Sequence, residues 1–273
     1  MKKEIIVKFN SGNKEIPIER PELIYGATAI VSNDNNDKTA INPYTNEKIP
    51  IINLDETEIR FFIPAHNQKD FQIAKSKNLP IKQVIAPYFT GLQNDKIKKN
   101  VNLETRNSVI AVIKHPQKDC FLCVKTKKRM CQSFVMGGIE NNETPENAAI
   151  REIQEETGYQ NVNIKFTSAF KIANHFYAEL KGINRLSFLN IVFGELNDLS
   201  SKPISKEENE KHDVLWVYKD ELQSFLNLNI NQFALNILKN GDNAILTDGI
   251  MLTNDKYNLT SSEEVRNILL KNL

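Results

Sequence analysis

The sequence predicts an α+β protein with a mixed sheet between helices, and three observations carry that expectation. Runs rich in β-branched and apolar residues recur at 107–113, 120–124, 186–196 and 214–217, bounded by polar turn residues. Residues 145–157 carry every local mark of a helix. Roughly a hundred residues precede the first of these runs, and a length of 273 residues suggests one large domain or two.

Asn107–Ile113 and Cys120–Val124, separated by the polar turn HPQKD, read as a hairpin. The helix that follows is bounded by its own chemistry. Thr144 is suited to N-cap it, and Pro145 fits the first position, where a missing N–H costs nothing. No residue breaks it before Thr157, and Gly158 can end it in a left-handed conformation. Leu186–Leu196 (LSFLNIVFGEL) reads as a strand and Val214–Val217 as a shorter one, followed by helices near 220–226 and 232–239. Helices on a mixed sheet are the expected outcome.

The same helix gathers carboxylates. Positions three and four apart are neighbours on a helix, so Glu152 lies beside Glu155 and Glu156, and Arg151 can reach Glu155. Ala148, Ala149 and Ile153 supply the core contact. The plain alternative is a solvated acidic face. Three like charges on one surface repel, however, and no lysine four residues on relieves them. A hard cation with oxygen ligands would, and Mg²⁺ binds through a few carboxylates together with substrate phosphates.

Gly137, Glu143, Arg151, Glu152, Ile153, Glu155, Glu156, Gly158 and Tyr159 fill every fixed position of the pattern G-x5-E-x7-R-E-hydrophobic-x-E-E-x-G-hydrophobic. This stretch resembles the Nudix box. The resemblance implies an α/β/α sandwich with a mixed sheet, spanning about 104–240. It also implies a hydrolase of nucleoside diphosphates linked to another moiety. Glu152, Glu155, Glu156 and the Gly137 carbonyl would then be metal ligands, for Mg²⁺ with Mn²⁺ as the alternative. Arg151 would orient a glutamate and Glu143 would support the loop. The general base would be a box glutamate or one of Glu207, Glu208 and Glu210 in a distant loop. One departure is Met136, where a proline often precedes the two glycines. Another lies at 172–176, which read IANHF: ADP-ribose-type members carry a proline about fifteen residues beyond the box, so ADP-ribose is disfavoured.

With 40% hydrophobic and 25% charged residues the composition is that of a soluble globular protein. A net charge of +1 does not announce a nucleic-acid partner. No run is long and apolar enough for a bilayer, and MKKEIIVKFNSGNKE does not read as a signal peptide. Three cysteines fit a reducing, cytoplasmic setting. His115, Cys120, Cys123 and Cys131 offer a zinc-like series, but a spacing of three in a strand points Cys120 and Cys123 to opposite faces, so zinc is not expected. The run Lys125–Arg129 reads as a solvated hairpin tip, with steering of a polyphosphate as the alternative.

A second resemblance covers much of what precedes the box. RPELIYGAT (20–28), NPYTNEKIP (42–50), IPAHNQKDFQIAK (63–75) and NLPIKQVI (78–85) resemble the editing domain of leucyl-tRNA synthetases. TDGIMLTNDKYNLTSSEE (247–264) is similar to the end of that domain. The expected organisation is a split editing-like domain of mixed α/β structure at 1–103 and 241–273, with the Nudix-like domain at 104–240 threaded through it.

The residues that family uses to hydrolyse misacylated tRNA have largely changed. Ile18, Glu19 and Leu23 stand at threonine positions, Glu22 at an aspartate position, and Glu56-Thr57-Glu58 at a glycine-threonine-glycine segment. Asn67 replaces a further aspartate. Asp70 survives at the position that holds the substrate's amino group in the family. The local reading is a helix over 66–75, capped by Asn67, that places Asp70 favourably in its first turn. His66 reads as a structural neighbour of that turn. The leading expectation is a metal-dependent pyrophosphohydrolase of a nucleotide-derived small molecule, the editing-like domain aiding substrate selection or dimerisation. A non-catalytic nucleotide sensor is the alternative, and a free-standing aminoacyl-tRNA deacylase is less favoured.

Overall fold

The computed structural model describes residues 3–34, 36–91, 95–240, 249–252 and 257–271. Contacts divide the chain into two units, Met1–Pro87 with Ala244–Leu273, and Tyr88–Asn243. The boundaries expected from sequence were 103/104 and 240/241, and residues 88–103 accordingly lie in the second unit.

The first unit begins with β1 (Lys3–Phe9) and β2 (Gly12–Ile18), an antiparallel hairpin in register from Lys3–Ile18 to Phe9–Gly12. A 3₁₀ turn at Pro21–Gly26 leads to β3 (Ala29–Val31), β4 (Thr39–Ile41), β5 (Lys48–Ile52) and β6 (Arg60–Phe62). These form a six-stranded sheet of order β2-β1-β4-β5-β3-β6, antiparallel except for β3 with β5. Alternation buries one set of side chains, Ile5, Val7, Phe9, Ile16 and Ile49, with Ile24 and Ile30 in the same cluster. After a 3₁₀ turn at Pro64–His66 comes α1 (Gln68–Lys77), starting two residues later than expected. Ala74 of α1 packs with Ala29, Val31 and Phe62. The unit's second chain segment adds to β7 (Ile85–Ala86), as described below.

The second unit contains β8 (Tyr88–Thr90), β9 (Leu103–Lys114), β10 (Cys120–Thr126) and β11 (Gln132–Gly138). Then follow α2 (Pro145–Thr157), β12 (Val162–Ala178), β13 (Ile183–Leu196), α3 (Lys206–Lys211), β14 (His212–Tyr218), α4 (Leu222–Phe225) and α5 (Asn229–Asn240). The sheet order is β14-β10-β11-β9-β13-β12-β8. It is mixed, because β9 runs parallel to β13 and β8 parallel to β12.

The expected β9–β10 hairpin exists only at its base, where Lys114 pairs with Phe121 and the His115 N–H donates to the Cys120 carbonyl. Beyond that point β11 takes the place beside β9, from Val135–Ala111 to Gly138–Ser108, and β10 pairs with β14 along its whole length. The turn closes the hairpin, but partner choice along the strand is decided by non-local packing. Residues Ser108–Ile113 are buried without interruption, as expected of a strand covered on both faces. One face receives α2 through Ala148, Ala149 and Ile153 against Val109, Ala111, Val135 and Val192. On α5, Ile230, Ala234, Leu235 and Ile237 are buried, and buried Asn231 accepts a hydrogen bond from the Phe134 N–H (2.8 Å).

The first unit is completed by β15 (Ile250–Leu252), β16 (Tyr257–Ser261) and α6 (Ser262–Lys271). Met251 pairs with Ile85 and Ile250 with Ala86, so the two chain segments of this unit share a three-stranded sheet, β16-β15-β7. The editing-like stretch at 247–264 lies partly outside the described residues.

Candidate functional site

The helix that carries the carboxylates is built as its ends predict. Thr144 Oγ1 accepts from the Asn147 N–H (3.2 Å), Pro145 opens the helix, and Gly158 closes it at φ 79°. A Cβ at Gly158 would strike the Lys202 carbonyl, so both the conformation and the space require glycine.

Arg151 is the hub of the site. Its Nε and one terminal nitrogen donate to the two oxygens of Glu143, each at 3.0 Å, the paired geometry that a guanidinium favours. The same nitrogen donates to the Gly138 carbonyl (2.8 Å), and the other reaches Glu152 (2.8 Å) and Glu155 (3.2 Å). Glu143 also accepts from the Glu140 N–H (2.9 Å), which ties the loop before α2 to the helix. Arg151 first, and that N–H second, hold the Glu143 carboxyl below its usual range. Glu155 is 57% exposed.

Glu152 turns the other way, toward the end of β11. A Cβ at Gly137 would fall inside the Glu152 carboxyl group, so this close approach needs glycine. Burial raises the Glu152 pKa against the lowering influence of Arg151. Glu156 is the most perturbed of the group. Burial, then the charges of Glu152 and Glu208, push it up to about 8, and no ion pair or hydrogen bond to its carboxylate is found among the described residues. His212 Nε2 donates to the Glu156 carbonyl (2.8 Å), and His212 Nδ1 lies 3.8 Å from Glu208.

Glu207, Glu208 and Glu210 were expected in a loop but lie on α3, which Ser205 caps, and of the three Glu208 is the one beside the box. It is 22% exposed, whereas Glu207 and Glu210 are 79% and 69% exposed. Sequence spacing could not select among them, because the choice depends on how α3 and β14 return to α2. Among the described residues no three His, Cys, Asp or Glu side chains already converge as an ion cage. Arg151 holds Glu152 and Glu155 at hydrogen-bonding distance instead. The donors nonetheless fit a hard divalent cation. They are all oxygens, and Glu156 is a buried carboxyl group in no ion pair among the described residues, with Glu152 and Glu208 for neighbours and Lys211 beyond ion-pair distance.

The other weighed residues fall elsewhere. His115 Nδ1 accepts from the Gln117 and Lys118 N–H groups (3.0 and 3.2 Å), and the ring packs edge-on against Trp216. Cys120 and Cys123 are buried on β10, where burial pushes the Cys123 thiol up to about 12. At the tip between β10 and β11, Arg129 pairs with Asp95 (3.3 Å) and Glu179 (2.9 Å), and Lys127 with Asp213 (3.3 Å).

In the first unit Asn67 caps α1 by accepting from the Asp70 N–H (3.0 Å). Asp70 is 1% exposed and engaged internally, with Arg60 at 2.9 Å and the Ile63 N–H donating at 2.9 Å. His66 ends the 3₁₀ turn and is buried. Glu56 binds Arg60 and Lys69, and fully buried Glu22 accepts from Arg20 Nε (2.7 Å). Each of these acids is met by a cation of the protein itself.

Comparison with known proteins finds two similarities. The NUDIX domain family model matches residues 104–240, half of the chain. The model of the leucyl-tRNA synthetase editing domain matches residues 32–110. A leucine–tRNA ligase from Fervidobacterium nodosum is 52% identical over 54 residues, covering 18% of this chain and 7% of that protein. A valine–tRNA ligase from Nostoc sp. is 34% identical over 88 residues, 28% of this chain and 9% of that protein. The chain thus spans a tenth or less of the length of these relatives. Among solved structures, a NUDIX hydrolase from Nitrosomonas europaea aligns with 21% identity and a TM-score of 0.38, over 51% of this chain and 91% of that one. A C. elegans Ap4A hydrolase complex aligns with 17% identity and a TM-score of 0.38, over 50% and 96%.

Proposed function

The chain belongs to the NUDIX family as a hydrolase of phosphoric anhydride bonds, and from that premise we propose that it cleaves a nucleoside diphosphate linked to another moiety. The observation that carries this reading is Glu156, desolvated beside Glu152 and Glu208 and in no ion pair among the described residues, so that the opposing charge of Lys211 leaves its carboxyl still pushed up to about 8. Such a carboxylate is costly unless a bound ion offsets the repulsion.

Glu152, Glu155, Glu156 and the Gly137 carbonyl would hold Mg²⁺, with Mn²⁺ as the alternative. When bound, the metal polarises a phosphoryl oxygen and neutralises developing charge. The chain's own residues do the rest. Arg151 positions Glu152 and, through Glu143, anchors the loop preceding the helix. The bare backbone at Gly137 lets the Glu152 carboxylate approach the strand end. Glu208 accepts the proton of the attacking water at a carboxylate oxygen, with His212, at the junction of α3 and β14, bracing α3 against the Glu156 carbonyl.

The fate of Asp70 favours the hydrolase over a deacylase. Its Oδ2 accepts from Arg60 and the Ile63 N–H and its Oδ1 lies 2.9 Å from the Arg60 guanidinium, so the charge that would hold a substrate's amino group is already met by a cation of the protein. A role for the first unit in substrate selection or self-association fits its loss of free acids.

The full chain, incubated with Mg²⁺ and a panel of dinucleotides, nucleoside triphosphates and nucleotide-sugars, is expected to release a nucleoside monophosphate from at least one. Metal binding without turnover of any member favours the sensor. Glu208→Gln is expected to lower kcat by about 10²–10⁴-fold with KM little moved, as for loss of a general base. Equal losses in Glu207→Gln or Glu210→Gln would remove Glu208 from that role.

A further inference from the structure

On the face of the second sheet opposite α2, strand register assembles a cavity that the hydrolase reading leaves unused. Parallel pairing of β9 with β13 sets Arg185 across from Glu104 and Ser187 across from Arg106. On the other side, β12 sets Phe176 across from Arg185 and Asn174 across from Ser187. Side chains two apart on a strand share a face. Arg106, Arg185, Ser187, Asn174 and Phe176 therefore meet, and with Ile230 of α5 they line a cavity of about 190 Å³.

The charges in this cavity do not balance. Arg185 is only 8% exposed; one terminal nitrogen donates to Glu104 (2.7 Å), and its Nε is buried with no partner. Arg106 donates through Nε to Ser108 (2.9 Å), and its guanidinium lies over Gly138, where a Cβ would come within 2.9 Å. Glu104, 45% exposed, pairs with Arg185 alone, and among the described residues no carboxylate lies within ion-pair distance of Arg106. Burial and then the neighbouring Arg185 lower the Arg106 pKa. Glu152 is near enough to oppose that effect, so the cavity and the carboxylate site adjoin at the Gly137–Gly138 peptide: Gly137 makes room for Glu152 on one face and Gly138 for Arg106 on the other.

We propose that this cavity binds a phosphate group of the substrate lying beyond the bond that is cleaved. Guanidinium forks match phosphate oxygens, and Ser187 and Asn174 can add hydrogen bonds beside the apolar walls of Phe176 and Ile230. The inference rests on the hydrolase reading and narrows it. The substrate class is a nucleotide with a chain of three or more phosphates, in preference to a nucleoside diphosphate joined to a neutral sugar.

Two measurements on the full chain test this. In metal-free calorimetry with inorganic tripolyphosphate, the wild type should show one saturable site. Arg106→Gln and Arg185→Gln should each weaken it about tenfold or more, the scale of a lost charged hydrogen bond, and Arg106→Lys should restore part of it. In steady-state kinetics with Mg²⁺, the ratio of kcat/KM for a nucleoside triphosphate to that for a nucleotide-sugar should fall about tenfold or more in both glutamine variants. The ratio cancels any general loss from misfolding, and Arg106→Gln leaves the more buried Arg185 in place should Arg185→Gln not fold. Binding that is absent or indifferent to both arginines overturns the proposal. So does binding with an unmoved ratio, which marks a site for free anion rather than for substrate. If the wild type cleaves no member of the full panel, dinucleotides included, the hydrolase reading fails, and calorimetry still decides whether the cavity takes phosphate.

Discussion

Glu156 is buried beside Glu152 and Glu208 with its carboxyl pushed up to about 8, so above pH 4.5 the metal-free native state carries the cost of a carboxyl that must either take up a proton or stay charged among its neighbours, which a neutral residue would not. Glu156→Gln should therefore raise the melting temperature of the metal-free chain, by about 2–4 °C if the gain is about 1 kcal/mol. In differential scanning fluorimetry with saturating Mg²⁺ the order should reverse, because the wild type alone gains stability from the ion. Arg151 acts one shell further out, and Arg151→Gln should cost about 10–100-fold in metal affinity or turnover. Gly137→Ala would drive a methyl group into the Glu152 carboxyl group. It should cut turnover while leaving the melting temperature of the sheet nearly unchanged, since one flexible side chain can move aside. The arginine cavity belongs to this scale too, although no local pattern announces it. Arg106 and Arg185 are 79 positions apart by number, and only the β9–β13 register makes them neighbours.

Among the elements, α2 was the most legible, because its signals are local: a threonine cap, a proline at the first position, and a glycine where the backbone turns left-handed. Thr144→Ala should cost about 1 kcal/mol. Gly158→Ala should cost more, about 1–2 kcal/mol for the backbone alone with the Lys202 carbonyl clash added. Urea titration of the second unit reads both. Strand partners were far less legible. The segments β9 and β10 were placed correctly, but they pair with each other only at Lys114–Phe121, and β11 takes the place beside β9 further along. In the first unit, Glu56 is held down to about 2 by Arg60 and then Lys69. A depressed carboxyl stabilises the fold above its usual value of 4.5, and the stabilisation is lost as pH falls toward 2. The stability difference between wild type and Glu56→Gln, measured by urea titration, should thus shrink from pH 4.5 downward and vanish below about 2; a difference constant over that window would contradict the ion pairing.

At the scale of the whole molecule, one chain passes out of the first unit after Pro87 and returns to it after Asn243. The returning segment supplies β15 and β16, which pair with β7, so the first unit needs both of its pieces. Truncation after Asn243 should abolish the first unit's thermal transition while the second unit keeps a cooperative one; loss of both transitions together would show a single folding unit. No helix among the described residues is long and apolar enough to cross a membrane. The family resemblance of each half was legible from motifs, because glycines and charged residues at fixed spacing survive in sequence. The fate of the editing-like pocket was not, because it depends on Arg60, which no motif contains, reaching Asp70 across the β6–α1 turn. The central claim is that the second unit breaks a phosphoric anhydride with metal held on α2. Its most direct test is chromatographic product analysis of the full chain with a nucleoside triphosphate or dinucleotide and Mg²⁺, beside Glu156→Gln. The account predicts Mg²⁺-dependent release of a nucleoside monophosphate by the wild type and loss of that product in the variant; undiminished release by a folded Glu156→Gln would contradict it.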